Sequence, residues 1–414
     1  MTLSEELKWR GFVNQTTYTT NEKLDSQPVT FYWGVDPSAD SMQIGNLAAA
    51  MMIRHFIEHG HKAILLVGGA TGMIGDPDGK AEERQLLSPE DLAKNKAGIS
   101  EQYKRLFDGK DFEIVDNYDW FKDMGYLDFL RTVGKHVPMS QMLGREFVQS
   151  RLGEKGSGIS YAEFSYSLIQ AYDFLYLHRN KGVDLQLCGA DQWGNCIAGV
   201  DLIRRTTGDE VNVWSMPLII DKTTGAKFGK TEAGVVWLDP KKTTPTAFYQ
   251  FWINIPDDSV EEFLKIYTLL SKEEIEQLIN EHQADPKKRQ AQKKLASEVT
   301  KLVHGEESAK LAASVTSYLT GDRNVSEASG EELAALRSEI PSVKVKLGLG
   351  FIEALVSAGL AKSNTEARSL IDSKAVYANG QALDHGELQE SDFKNGRLLV
   401  RRGKAFKDSA LFEL

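Results

Sequence analysis

Over its first 220 residues the chain alternates short apolar runs with stretches of helical periodicity, and few architectures accommodate that alternation. Thr30-Phe31-Tyr32-Trp33-Gly34-Val35, Ala63-Ile64-Leu65-Leu66-Val67, Phe112-Glu113-Ile114-Val115, Leu185-Gln186-Leu187-Cys188 and Leu218-Ile219-Ile220 read as buried strands. Between the first two, Ile44 to Glu58 places Ile44, Leu47, Ala48 and Met51 on one helical face. Strand–helix alternation of this kind implies an α/β fold built on a Rossmann-like, doubly wound parallel sheet. In such sheets ligands bind at the carboxyl ends of the strands, so the residues after each run carry the functional argument.

Four segments stand at such places. Val35 to Asn46 passes from a strand through a turn into a helix, either an ordinary junction with a helix-packing glycine at Gly45 or a phosphate site, which the N–H groups and dipole of a helix N-terminus suit. Gly68-Gly69-Ala70-Thr71-Gly72-Met73-Ile74-Gly75-Asp76-Pro77 follows a strand and reads as a ligand-approach loop or as a plain glycine-rich turn. It does not match the dinucleotide-binding pattern. In Tyr161 to Tyr176, the polar residues Tyr166, Gln170 and Asp173 share one face of an otherwise apolar helix. A buried polar stripe requires partners, either protein groups and waters or the polar ends of a small ligand. Lys227-Phe228-Gly229-Lys230-Thr231 offers two lysines and a hydroxyl on a loop, suited to clamping phosphate or simply to solvent.

From about Thr244 to Thr320 the pattern is helical, and Ala312 to Lys344 is polar, its later part reading as a linker. A unit of some 70 residues follows, with short strands broken at Asn379-Gly380 and Asn395-Gly396. The resulting division is 1–222, 223–325, a linker over 326–345, and 346–414. The chain carries a net charge of −10, which argues against a nucleic-acid partner if it is spread evenly. It is not: residues 341–414 hold 11 Lys and Arg against 9 Asp and Glu, leaving 38 against 50 in the first 340. An acidic body with a mildly basic tail suits an enzyme that holds nucleic acid at local patches. Cys188 and Cys196 are the two cysteines, which reads as a reduced, cytoplasmic protein; no apolar stretch is long enough for a membrane span.

Taken together, the four segments resemble a class I aminoacyl-tRNA synthetase of the bacterial tyrosyl type. Gly189-Ala190-Asp191-Gln192-Trp193-Gly194-Asn195, Phe248 to Asn254 and Leu302 to Glu307 look like further signatures of that family. Ser363 to Ile371 with Val376 to Gly380 is similar to the S4 RNA-binding fold. The resemblance implies a catalytic domain, an all-α domain on the anticodon side and a small α+β S4-like domain. It implies L-tyrosine, ATP with bound Mg²⁺ and tRNA(Tyr) as substrates, no protein-held metal, and a homodimer meeting over residues 118–150, with Tyr118 to Phe121, Phe129 and Leu130 as apolar candidates. Tyr32 and Asp173 would take the substrate hydroxyl. Asp76, Tyr166 and Gln170 would hold the ammonium group, with Thr71, Gln186 and Gln192 nearby. Gly34, Asp36, Gly45, Gly189, Asp191 and Lys230 would meet ATP, and Lys227, Lys230 and Thr231 would close on the pyrophosphate.

One departure from the family is plain. Its first signature is usually His-x-Gly-His, and Gln43-Ile44-Gly45-Asn46 stands in that place. Two accounts are open: Gln43 and Asn46 act in catalysis as neutral hydrogen-bonding groups, or the chain is a diverged paralogue that uses tyrosine or an analogue for another acceptor, or only binds RNA. Trp33 is also bulkier than expected beside a ribose.

Overall fold

The computed structural model describes residues 1–77, 86–152, 156–222, 225–231, 234–403 and 408–414. Its contacts divide the chain into two compact units, 1–243 with 256–291, and 244–255 with 292–414.

The first unit is built on a six-stranded sheet. Its strands are β1 (Gln15–Thr16), β2 (Thr30–Val35), β3 (Lys62–Val67), β4 (Phe112–Asp116), β5 (Leu185–Gly189) and β6 (Asn212–Met216), in the order β1-β6-β5-β2-β3-β4. All neighbours are parallel except β1, which runs antiparallel to β6 at the edge. The chain winds outward from β2 through β3 to β4, then returns to lay β5 on the other side of β2. The switch point therefore lies between β2 and β5, where a crevice opens at the carboxyl ends.

Four of the five expected strands are present. Leu218-Ile219-Ile220 is not a sheet strand. After Pro217 it pairs locally with the following loop, through the bridge Ile220–Lys227 and the bond from Phe228 N to Ile219 O. The sheet uses Asn212–Met216 instead. Its apolar run is interrupted by Ser215, whose hydroxyl accepts from Gln15 N and donates to Gln15 O. A side chain answering an edge strand's backbone is tertiary information, which an apolar-run criterion cannot contain.

Helices cover both faces of the sheet. Ile44–Glu58 buries Ile44, Leu47, Ala48 and Met51, as its periodicity requires. Tyr161–Lys181 is capped by the Ser160 side chain on Glu163 N and ends in Gly182 at φ +64°. Trp33 turns to the face opposite Tyr32, its ring 5.5 Å from that of Tyr103, whereas Tyr32 packs on Phe174 at 5.3 Å. The period of two along β2 therefore takes the bulky indole into the core. Two short strands, β7 (Lys230–Thr231) and β8 (Gly234–Val235), form a separate hairpin.

In the second unit helices pack on a five-stranded sheet of β9 (Ser342–Lys344), β10 (Val376–Ala378), β11 (Gln381–Ala382), β12 (Arg397–Arg402) and β13 (Ser409–Glu413). Asn379-Gly380 and Asn395-Gly396 adopt positive φ at both positions, as expected of tight turns. The linker over 326–345 needs correction. Gly330–Glu339 is a helix with a Ser329–Glu332 capping box, and Ser342–Lys344 joins the sheet parallel to β13. Leu333, Leu336 and Ile340 share one core with Leu399 and Leu411. A three-residue apolar stripe on a polar segment is a weak signal in sequence, and of its partners Val315, Tyr318 and Leu319 are near while Leu399 and Leu411 lie some 60 to 80 residues away.

Candidate active site

A cavity of about 370 Å³ opens at the switch point, a volume usual for small-ligand sites. The described residues expected to bind tyrosine or ATP all line it: Tyr32, Thr71, Asp76, Tyr166, Gln170, Asp173, Gln186 and Gln192, with Gly34, Asp36, Gly45, Gly189 and Asp191. Gln43, Asn46 and Lys227 line it as well. The side chains of Lys230 and Thr231 lie outside the described atoms.

At the inner end of the cavity, Tyr32 and Asp173 are each 2% exposed. The Asp173 carboxylate accepts from Asn117 Nδ2 at 3.1 Å and from Trp120 Nε1 at 2.9 Å, one donor on each oxygen. Sequence reasoning missed both donors. Asn117 and Trp120 follow β4, and only the crossing of Tyr161–Lys181 over that strand end brings them to Asp173. Trp120 had been grouped with an outward apolar face. It also stacks on Tyr176, with 4.5 Å between ring centroids. The Asn117 amide is fully determined, because its oxygen takes Ala70 N–H at 2.6 Å and its nitrogen also donates to Thr71 Oγ1.

From Thr71 the network continues to Asp36, which accepts the Thr71 hydroxyl at 2.6 Å and the Tyr166 hydroxyl at 2.7 Å. The Asp36 carboxylate, expected near adenosine, is thus engaged in ordering Thr71 and Tyr166. The glycine run is a helical turn, Gly69–Ile74, rather than an open loop. A Cβ on Gly68 would collide with Asp36 Oδ1 and Thr71 Oγ1, so that glycine serves the close packing of this network.

Three buried polar atoms in the cavity wall have no hydrogen-bond partner among the described residues: Tyr32 OH, Gln170 Oε1 and Gln186 Oε1. Each such atom costs about 1–3 kcal/mol when left unpaired. A fold that carries three of them around one cavity is arranged for a ligand with matching groups.

Burial pushes the Asp173 carboxyl up to about 8, against the lowering effect of its two N–H donors. A hydroxyl donated to this group is held more strongly by the carboxylate than by the protonated acid. The resemblance implies a substrate hydroxyl at Asp173, and the affinity for such a ligand should rise as pH increases from 6 to 8. Titration calorimetry across that range checks it, and Asp173→Asn should abolish the dependence. By linkage, the same burial costs folding stability progressively between pH 4 and 8, because the folded chain keeps the proton that the unfolded chain has released.

At the mouth, Asn46 Oδ1 accepts from Gln43 N at 3.0 Å. The amide oxygen being engaged, Nδ2 is the end that Asn46 can offer to a ligand. A Cβ added to Gly45 would meet nothing within 4 Å, and its φ is ordinary. The fold does not require glycine there, so Gly45→Ala should leave thermal stability unchanged; with ATP at this helix end, as the resemblance implies, it should also raise the KM for ATP by about tenfold. A melting curve with ATP saturation kinetics tests both halves. Across the opening Lys227 Nζ lies 3.0 Å from Asp191 Oδ2.

This sheet and site define a class, and the chain belongs to it: the family of class I tRNA synthetases for tryptophan and tyrosine, whose model matches residues 24–319. Its full-length relatives narrow the class further. The tyrosine–tRNA ligase of Geobacillus kaustophilus is 46% identical over 416 residues, and that of Bacteroides thetaiotaomicron 42% identical over 422, each alignment covering 98% of both chains. Residues 332–406 match the SYY-like C-terminal domain of tyrosine–tRNA ligases, a match that begins inside the segment read as a linker. Among solved structures, a C-terminally truncated mitochondrial tyrosyl-tRNA synthetase of Aspergillus nidulans superposes with a TM-score of 0.68 at 30% identity, over 76% of this chain and 92% of that one.

Proposed function

We infer that the chain activates L-tyrosine with ATP and transfers the tyrosyl group to tRNA, the reaction of a tyrosine–tRNA ligase. One observation carries the choice of amino acid: the Tyr32 hydroxyl, without a partner among the described residues, and the doubly held Asp173 carboxylate close the same cavity. A phenol can donate to Asp173 and accept from Tyr32. Phenylalanine leaves the Tyr32 hydroxyl without a partner and brings no donor to Asp173.

In this reading Asp76, Tyr166 and Gln170 hold the ammonium group, and Gln186 and Gln192 line the path between the ends of the amino acid. That orientation turns the carboxylate toward the mouth. There the first turn of Ile44–Glu58, Gln43, Asn46 and the loop Lys227–Thr231 receive the triphosphate. A tyrosine carboxylate oxygen attacks the α-phosphorus, the bond to the β-phosphate oxygen breaks, and pyrophosphate leaves. A ribose hydroxyl of the terminal tRNA adenosine then attacks the tyrosyl carbonyl and AMP departs. The work is positioning and charge stabilisation.

Asp36, Asp76 and Asp191 all line the cavity, so bare ATP would meet like charge. ATP entering as its Mg²⁺ complex, met by Lys227, resolves that conflict. Gln43 and Asn46 replace imidazoles with neutral groups, and the Nδ2 left to Asn46 keeps a donor where one is needed, which favours the active enzyme over the diverged paralogue. Tyrosine-dependent ATP–pyrophosphate exchange decides between them: exchange is expected, and its absence with RNA binding retained sinks the ligase reading. The S4-like part of the second unit would meet tRNA, and so would Lys287, Lys288 and Arg289 of the first unit. A homodimer would form over the face that exposes Tyr126, Leu127, Met139 and Leu143. Sedimentation at the monomer mass would rule that out.

A further inference from the structure

Behind Asp76 runs a series of hydrogen bonds that the reaction as described does not use. Arg145 reaches the first turn of the helix Trp193–Thr206, Nη1 donating to Asn195 Oδ1 and Nη2 to the Gly194 carbonyl at 2.7 Å. Asn195, only 5% exposed, donates from Nδ2 to Gln192 Oε1 at 3.1 Å. Gln192 in turn donates from Nε2 to Asp76 Oδ2.

The two amides have ends of nearly the same shape, so their orientation is set by their hydrogen bonds. A guanidinium can only donate, and an ionised carboxylate can only accept. With a pure donor at one end and a pure acceptor at the other, both amides are forced into a single direction. We propose that Arg145 is a positioning residue of the tyrosine site: through Asn195 and Gln192 it holds Asp76 in the orientation that receives the substrate's ammonium group. This rests on the reading of Asp76 as the ammonium acceptor.

Without Arg145, Asn195 is free to turn its oxygen toward Gln192. Gln192 then reverses in response and sets Oε1 against the Asp76 carboxylate, oxygen facing oxygen. Asp76 must swing away or take up a proton, and either outcome weakens its hold on a cation. The phenol end is untouched, since Asn117 and Trp120 hold Asp173 through separate bonds.

Deamino-tyrosine, the same molecule without its amino group, separates the two ends. Binding of tyrosine and of deamino-tyrosine is measured by calorimetry on the full chain, for the wild type, Arg145→Met, Asn195→Asp and Asp76→Asn. Arg145→Met should weaken tyrosine about tenfold and leave the analogue within about twofold, the scale of one lost charge-assisted hydrogen bond. Asn195→Asp keeps a partner for the guanidinium but cannot donate to Gln192, so it should give the same pattern in a protein that retains its Arg145 contact. If Asp76→Asn lowers the preference for tyrosine while both relay variants keep it, the relay is overturned and the ammonium site stands. If Asp76→Asn also keeps the preference, the ammonium reading fails and the relay with it. Equal loss of both ligands in the relay variants overturns the proposal as well.

Discussion

Lys227→Ala should slow tyrosine-dependent pyrophosphate exchange by about a hundredfold while leaving the tyrosine dissociation constant nearly unchanged. The magnitude is that of removing one preorganised group that meets charge developing in a transition state. The split between rate and affinity follows from geometry. Lys227 stands at the mouth with its side chain 55% exposed, paired to Asp191, whereas the tyrosine-reading groups lie at the buried end. Its pairing with an exposed carboxylate contributes little to folding, so the ammonium can leave Asp191 for a phosphate at small cost. Single-turnover adenylate formation, followed by intrinsic fluorescence, separates the two quantities. A variant whose tyrosine affinity collapses instead would move Lys227 out of the phosphate role.

Asp173→Asn should reduce the preference for tyrosine over phenylalanine in exchange kcat/KM by about a hundredfold, the upper range for one hydrogen bond to a charged group. The carboxylate suits its surroundings because each oxygen accepts one N–H, from Asn117 and from Trp120. A carboxamide can satisfy one of them and turns its own donor against the other. Some loss of stability should therefore accompany the loss of discrimination. Tyr32→Phe offers the contrast. Its hydroxyl has no partner among the described residues, so removing it should raise the unfolding free energy of the free protein by about 1 kcal/mol while it too lowers discrimination. A stability gain and a specificity loss from the same atom would mark that hydroxyl as reserved for substrate. If both variants discriminate as well as wild type, the phenol site is misplaced.

The parts of the site legible in sequence were those whose signal is local. Tyr166, Gln170 and Asp173 fall on one face of Tyr161–Lys181 because a helix repeats every 3.6 residues. The strand–turn–helix at Val35 to Asn46 announces a helix N-terminus at a strand end wherever it occurs. Asn117, Trp120 and Arg145 carried no such mark. Their roles depend on which element passes beside them, and each reads in isolation as a polar or apolar surface residue. The misplaced strand at Leu218 and the missed helix Gly330–Glu339 have the same origin. Burial of β6 is completed by β1 from far upstream, and that of the helix, begun by Val315, Tyr318 and Leu319 just before it, by Leu399 of β12 and Leu411 of β13 from far downstream.

By itself the sequence determined the chemistry present and its order along the chain: apolar strands, a helix start after the first of them, a polar stripe on a buried helix, and lysines on a late loop. Short-range periodicity and side-chain type are written residue by residue, so they survive without a structure. What the tertiary structure alone decided is direction. Which oxygen of Asp173 meets which donor, which end of the Asn46 amide remains for a ligand, and which way Asn195 and Gln192 point are all set by partners distant in sequence. A hydrogen bond depends on the position of both its atoms, and only the folded chain fixes the second one.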